Sequence, residues 1–124
     1  MQPDRRDAAL LHDMVQFADE IRLLVERAGS HDYLSDLATR RAIERCVELV
    51  GEAADHVSKE FQAAHPEIPW REVIAQRHRL IHGYRDIDPE RIRNVVETRL
   101  PELARSLRQL LPQIPPDPEP EEPA

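Results

Sequence analysis

Residues 5–28 read RRDAALLHDMVQFADEIRLLVERA, and within them Leu10, Met14, Phe17, Ile21, Leu24 and Ala28 recur at alternating spacings of four and three. That interval returns an apolar side chain to one face of an α-helix at every turn, so the stretch predicts an amphipathic helix that Gly29 and Ser30 close. The same interval governs the next segment. From about Asp36 to Ala64, the residues Ile43, Val47, Val50, Ala54, Val57 and Phe61 form a second stripe. Two such stripes joined by a short turn predict an antiparallel helical hairpin.

Prolines punctuate the rest of the chain. His65-Pro-Glu-Ile-Pro69 breaks the helical pattern, and Pro69 suits the first position of a third helix, where its missing N–H is not needed. That helix is expected to run from about Pro69 to His82, with Gly83 as its stop. Asp88-Pro-Glu90 supplies an N-cap carboxylate, a first-turn proline and a first-turn acid, and so opens a fourth helix from about Pro89 to Leu111. Its buried stripe is Ile92, Val96, Leu100, Leu103, Leu107 and Leu110, and Pro101 is expected to kink or split it at Leu100. Residues 112–124 hold six prolines and four acids, a composition that cannot bury enough surface to order itself. The reading is therefore all-α: one antiparallel bundle of four to five helices over residues 1–111, followed by a disordered acidic, Pro-rich tail.

Composition narrows the function classes. In 124 residues there are 3 glycines and 4% aromatics, which favours helix over strand. No apolar run approaches the roughly 20 residues of a bilayer-spanning helix, and the charged N-terminus lacks the apolar core of a secretory signal, so a cytoplasmic protein is expected. Cys46 stands alone, which leaves neither a disulfide framework nor a thiolate metal cage. The net charge of −7 argues against a broad nucleic-acid surface, yet the tail's four acids account for more than half of it. From Arg71 to Arg108 there are nine arginines against six acids, so the middle of the chain is locally basic.

One residue of the third helix breaks its pattern. With a helix advancing about 100° per residue, Arg77 falls among Trp70, Val73, Ile74, Leu80 and Ile81, inside the apolar arc. A guanidinium there must meet a carboxylate, an interface or an anionic ligand, because an uncompensated buried charge costs several kcal/mol. Glu52, or another acid of the Glu44, Glu48, Glu52 stripe, is the candidate structural partner. His78 and His82 lie at the edge of the arc, and His82 falls in the last turn, where the helix dipole favours imidazolium. A histidine for proton transfer beside a fixed cation for phosphate charge is a minimal kit for RNA cleavage without metal. The His78, His82 pair supplies two ligands where catalytic zinc wants three, and Arg79 replaces the glutamate of a His-Glu-x-x-His site, so no metal and no cofactor are expected.

The run Arg77-His-Arg-Leu-Ile-His82-Gly-Tyr84 resembles the Arg-x4-His-x-Tyr signature of the HepT-like branch of the HEPN superfamily. Leu49-Val-Gly-Glu52, Pro66-Glu-Ile-Pro-Trp70-Arg-Glu and Leu100-Pro-Glu-Leu103 resemble further stretches of that family, in order and spacing, from about Arg41 to Leu107. The resemblance implies a HEPN-type bundle and a metal-independent endoribonuclease toxin of a type VII-like pair, acting on RNA, with tRNA among the candidate substrates. It maps Arg77 and His82 onto the catalytic pair and implies a composite site in a homodimer or higher oligomer. Tyr84 matches the tyrosine that receives AMP from a minimal nucleotidyltransferase antitoxin. His78, Arg79 and Arg85 would be secondary phosphate contacts, and His78 stands where the family commonly has Asn. The alternative is a non-catalytic HEPN module that binds a nucleotidyltransferase or a nucleotide. An Arg77 fully satisfied by an acid of its own subunit would favour the module, and one left open to a cleft would favour the enzyme.

Overall fold

The computed structural model describes residues 2–82 and 88–110, apart from the side chains of 80–82, and these residues are all-helical. In chain order they form α1 (Arg5–Ala28), α2 (Leu37–His56), α3 (Lys59–Ala64), α4 (Trp70–His82), α5 (Pro89–Asn94), a π-turn (Val95–Arg99) and α6 (Leu100–Leu110). α1 packs along α2, α4 packs on α2, and α6 packs on α1. Leu11, Met14, Ile21, Ile43, Val50, Phe61, Ile68 and Leu107 are fully enclosed between these elements, so both stripes of the hairpin and the stripe of the last helix meet in one core. Among the described residues, no helix is long and apolar enough to cross a membrane. The tail read from the sequence lies outside them.

The second helix does not continue to Ala64 as its periodicity predicts. It ends at His56, and a new helix starts after Ser58. The break is imposed from α1. Asp7, only 3% exposed, accepts from the Ser58 backbone N–H at 2.9 Å and from the Ser58 hydroxyl at 2.6 Å. The Ser58 oxygen in turn accepts from the Phe61 N–H, capping α3. The Gln62 amide closes the corner by donating to the carbonyls of Ala54 and Val57, the first of which the ending helix leaves only partly satisfied. A helical periodicity can run straight through such a break because the contact that makes it lies 51 residues away.

The last helix is also adjusted, upstream of the proline that was expected to split it. In a regular α-helix the ring of Pro101 would strike the carbonyl of Glu97, four residues back. The π-turn takes up one extra residue there, with the Leu100 N–H donating to the Val95 carbonyl, and α6 resumes without a break in the chain of helices. Both Val95 and Val96 are buried as a result.

Two polar contacts from the π-turn brace the bundle. The Tyr33 hydroxyl, on the α1–α2 loop, donates to the Glu97 carboxylate at 3.0 Å, and Arg99 pairs with Glu72 of α4 at 3.1 Å. Arg93 adds to the first of these, pairing with Asp32 at 2.6 Å while its guanidinium lies 5.6 Å from the centre of the Tyr33 ring. Burial, with the hydrogen bond to Glu97 second, pushes the Tyr33 phenol up to about 12. A folded-state value raised above the unfolded one means that the stabilisation is complete below about pH 10 and is lost as pH rises towards 12. Stability measured by urea unfolding should therefore fall across that alkaline window in the wild type and fall less in Tyr33→Phe. In the same assay at neutral pH, Asp7→Ala, which orphans the Ser58 donors, should cost about 1–3 kcal/mol.

Candidate functional site on helix α4

Helix α4 is positioned at its start by the corner that precedes it. The Trp70 indole N–H donates to the His65 carbonyl at 3.0 Å and the ring packs edge-on against Phe61, while His65 stacks on Phe61 and pairs through Nδ1 with Glu67 at 2.9 Å. This places the third helix where the sequence put it, with Trp70 and Phe61 buried. Pro69 stands just before the first helical residue rather than as that residue, and its carbonyl accepts from the Val73 N–H.

The middle of α4 lies on Gly51 of α2. A Cβ built on Gly51 would fall 2.5 Å from the Arg77 Cβ and 3.0 Å from the Val73 carbonyl oxygen. No side chain larger than hydrogen fits between these helices at this point, so Gly51 sets the separation of α2 and α4 and, with it, the height of Arg77. The guanidinium then runs towards Asp55, with Nη1 3.7 Å from the Asp55 Oδ2. That is ion-pair range but longer than a hydrogen bond. Arg77 Nε is buried and has no hydrogen-bond partner among the described residues. The Arg77 side chain is 24% exposed and that of Asp55 39%, so the pair sits at the rim of the bundle, open to solvent.

The partner expected from the sequence was Glu52, and the structure corrects this. Gly51 faces Arg77, and Glu52 is one residue, about 100°, further round α2, whereas Asp55 is one turn on and shares the face of Gly51. Glu44 and Glu48 are taken by Arg40, Arg41 and Arg45 on their own helix. Gly51 and Asp55 are thus the two residues of the site that the sequence reading did not single out. The signal for the first was a glycine in the middle of a long helical pattern, which costs about 1 kcal/mol against alanine and so points to a close backbone approach. The second follows from the first by one helical turn.

His78 and Arg79 are exposed on α4, away from the core. His82 is the last residue of α4. Its side chain, and Tyr84 and Arg85 altogether, lie outside the described residues. Among the described residues no three His, Cys, Asp or Glu side chains are grouped to hold a metal ion. The half-buried Cys46 thiol is pushed up to about 11 by burial and by the neighbouring Glu20 carboxylate, which makes it a poor nucleophile at neutral pH.

What the arrangement offers is an arginine fixed at its Cα and Cβ by helix packing, with its charged end only loosely paired among the described residues. Such a group suits a phosphate, which takes several N–H donors in one plane. Residues 14–110 match the family described as Ribonuclease HepT-like. The chain belongs to that family. Among curated proteins, the HepT-like chain is 32% identical over 100 residues to a Thermococcus cleftensis protein named "Probable ribonuclease HepT", covering 81% of this chain and 91% of that one. It is 32% identical over 95 residues to a candidate RNase of Caldanaerobacter subterraneus, covering 74% and 85% of the two chains. It is 26% identical over 112 residues to a candidate RNase of Methanocaldococcus jannaschii, covering 90% and 93%. No solved structure matches it significantly. Membership gives the HepT-like chain a role in a ribonuclease family and agrees with its all-helical architecture.

The close approach at Gly51 can be tested by Gly51→Ala. Alanine improves intrinsic helix propensity by about 1 kcal/mol, but overpacking a closed contact costs about 1–3 kcal/mol. Urea unfolding should show a net loss of stability. A gain would mean that the two helices do not touch here.

Proposed function

We propose that this HepT-like chain is a metal-independent endoribonuclease acting as the toxin of a toxin–antitoxin pair. The observation that carries the reading is Arg77: it is held by the Gly51 contact, with a buried Nε that has no partner among the described residues and a terminal nitrogen only loosely paired with Asp55. A cation used only to tie two helices together would be expected to make short, complete hydrogen bonds to its own carboxylate. An incompletely satisfied one is ready for an anionic substrate.

In the proposed reaction His82 removes the proton from a ribose 2′-OH, the 2′ oxygen attacks the adjacent phosphorus, and the bond to the departing 5′ oxygen breaks as that oxygen takes a proton from water, leaving a 2′,3′-cyclic phosphate and a free 5′-OH. Arg77 stabilises the charge that builds on the phosphate oxygens in the five-coordinate state. The working site is completed across a homodimer, and His78, Arg79 and Arg85 contact neighbouring phosphates. Control is by a minimal nucleotidyltransferase that transfers AMP from ATP to the Tyr84 hydroxyl with release of pyrophosphate. The added phosphate, two residues from His82, would repel the RNA phosphate. The Arg77–Asp55 pair is the observation that favours the alternative, a non-catalytic module that binds such a partner or a nucleotide.

Purified, unmodified protein incubated with total RNA in EDTA should leave cyclic-phosphate ends, and Arg77→Ala and His82→Ala, folded by circular dichroism, should be slower by about 100-fold or more. Intact RNA with all three proteins, across several RNA pools, would make the interaction module the better account.

A further inference from the structure

Helix α4 carries its charge unevenly. Its one acid, Glu72, is turned to the π-turn and neutralised by Arg99 at 3.1 Å. Its bases include Arg71, His78 and Arg79, all exposed. Arg71, Ala75 and His78 follow one another at spacings of four and three, so they occupy one face, and Arg79 is the next residue round from His78. Ala75, between Arg71 and His78, extends no further than a methyl group. No ion pair to Arg71 occurs among the described residues. The exposed arginines of α2 differ in this respect, since Arg41 and Arg45 lie against Glu44 and Glu48 at 2.8 and 3.0 Å.

We propose that Arg71, with His78 and Arg79, forms a phosphate-tracking strip along α4 that guides a single RNA strand past Arg77. This rests on the ribonuclease reading and extends the substrate site to Arg71, which neither the signature motif nor the core packing accounts for. The strip is one helix wide, and Arg71 and His78 are about 10 Å apart along the axis. That is too short for a duplex, whose recognition by shape spans about 16 base pairs and two minor grooves, but it suits a single strand. The net charge of −7 sharpens the argument, because an RNA backbone is repelled by most of the protein and finds few acid-free approaches.

The test uses the full chain and an unstructured single-stranded RNA carrying 2′-O-methyl groups, which keeps every phosphate and removes the nucleophile. Binding is followed by fluorescence anisotropy over a salt series. Each phosphate contact on a single strand contributes about 0.7 to the slope of log K against log salt, so Arg71→Gln should flatten the slope by about 0.7 and weaken binding about fivefold near 0.1 M salt. Arg41→Gln, an equal change of charge on α2, should leave the slope as it is. An unchanged slope in Arg71→Gln, or an equal loss in Arg41→Gln, overturns the strip. A wild type that cuts ordinary RNA yet shows a slope indifferent to Arg71 removes the strip and leaves the nuclease standing. A wild type that binds no RNA removes both.

Discussion

The contact of Gly51 with α4 is the constraint on which the site depends. It brings the Cβ of Arg77 against the backbone of α2, so the position of the arginine is set by helix packing rather than by its charge. An arginine placed by its own ion pair would be satisfied by that pair and of little use to a ligand. Here the stem is fixed, and among the described residues the guanidinium has a distant carboxylate and a buried Nε without a partner. A guanidinium paired only at 3.7 Å can meet an anion without first breaking a short hydrogen bond.

The rest of the bundle holds that contact in place. Asp7 reaches from α1 to break the second helix at Ser58, and the resulting corner brings Trp70 and the start of α4 onto Phe61. On the other flank the π-turn sends Glu97 to Tyr33 and Arg99 to Glu72, tying α4 to the α1–α2 loop through a single helical irregularity. These polar ties connect elements that are distant in sequence, and the apolar stripes supply the core they are pinned to.

Much of this was legible in the sequence. The stripes of α1, α2 and the last helix, the corner at Pro66 to Pro69 and the misfit of Arg77 in an apolar arc all follow from periodicity and from the chemistry of single residues. What periodicity could not carry was anything set by a remote partner. The break at Ser58 needs Asp7, and the choice of Asp55 over Glu52 needs the face of α2 that Gly51 presents. Pro101 was read as a disruption, but its consequence appears one turn earlier, as a π-turn that keeps the helix going. His82 followed from its place in the last turn of the helix, which the fold bears out by ending α4 there, whereas Tyr84 and Arg85 were named from the family resemblance alone.

The central claim is that the Arg77 guanidinium is held ready for a phosphate. Its side-chain N–H signals in nitrogen-15 correlation spectra, assigned by loss in Arg77→Lys, report on this directly during titration with an uncleavable RNA dinucleotide. The account predicts that they shift and exchange more slowly with water as the dinucleotide binds, and that Asp55→Asn leaves this response in place. Signals already protected in the free protein and unmoved by the dinucleotide would show an arginine committed to the bundle, and would contradict the account.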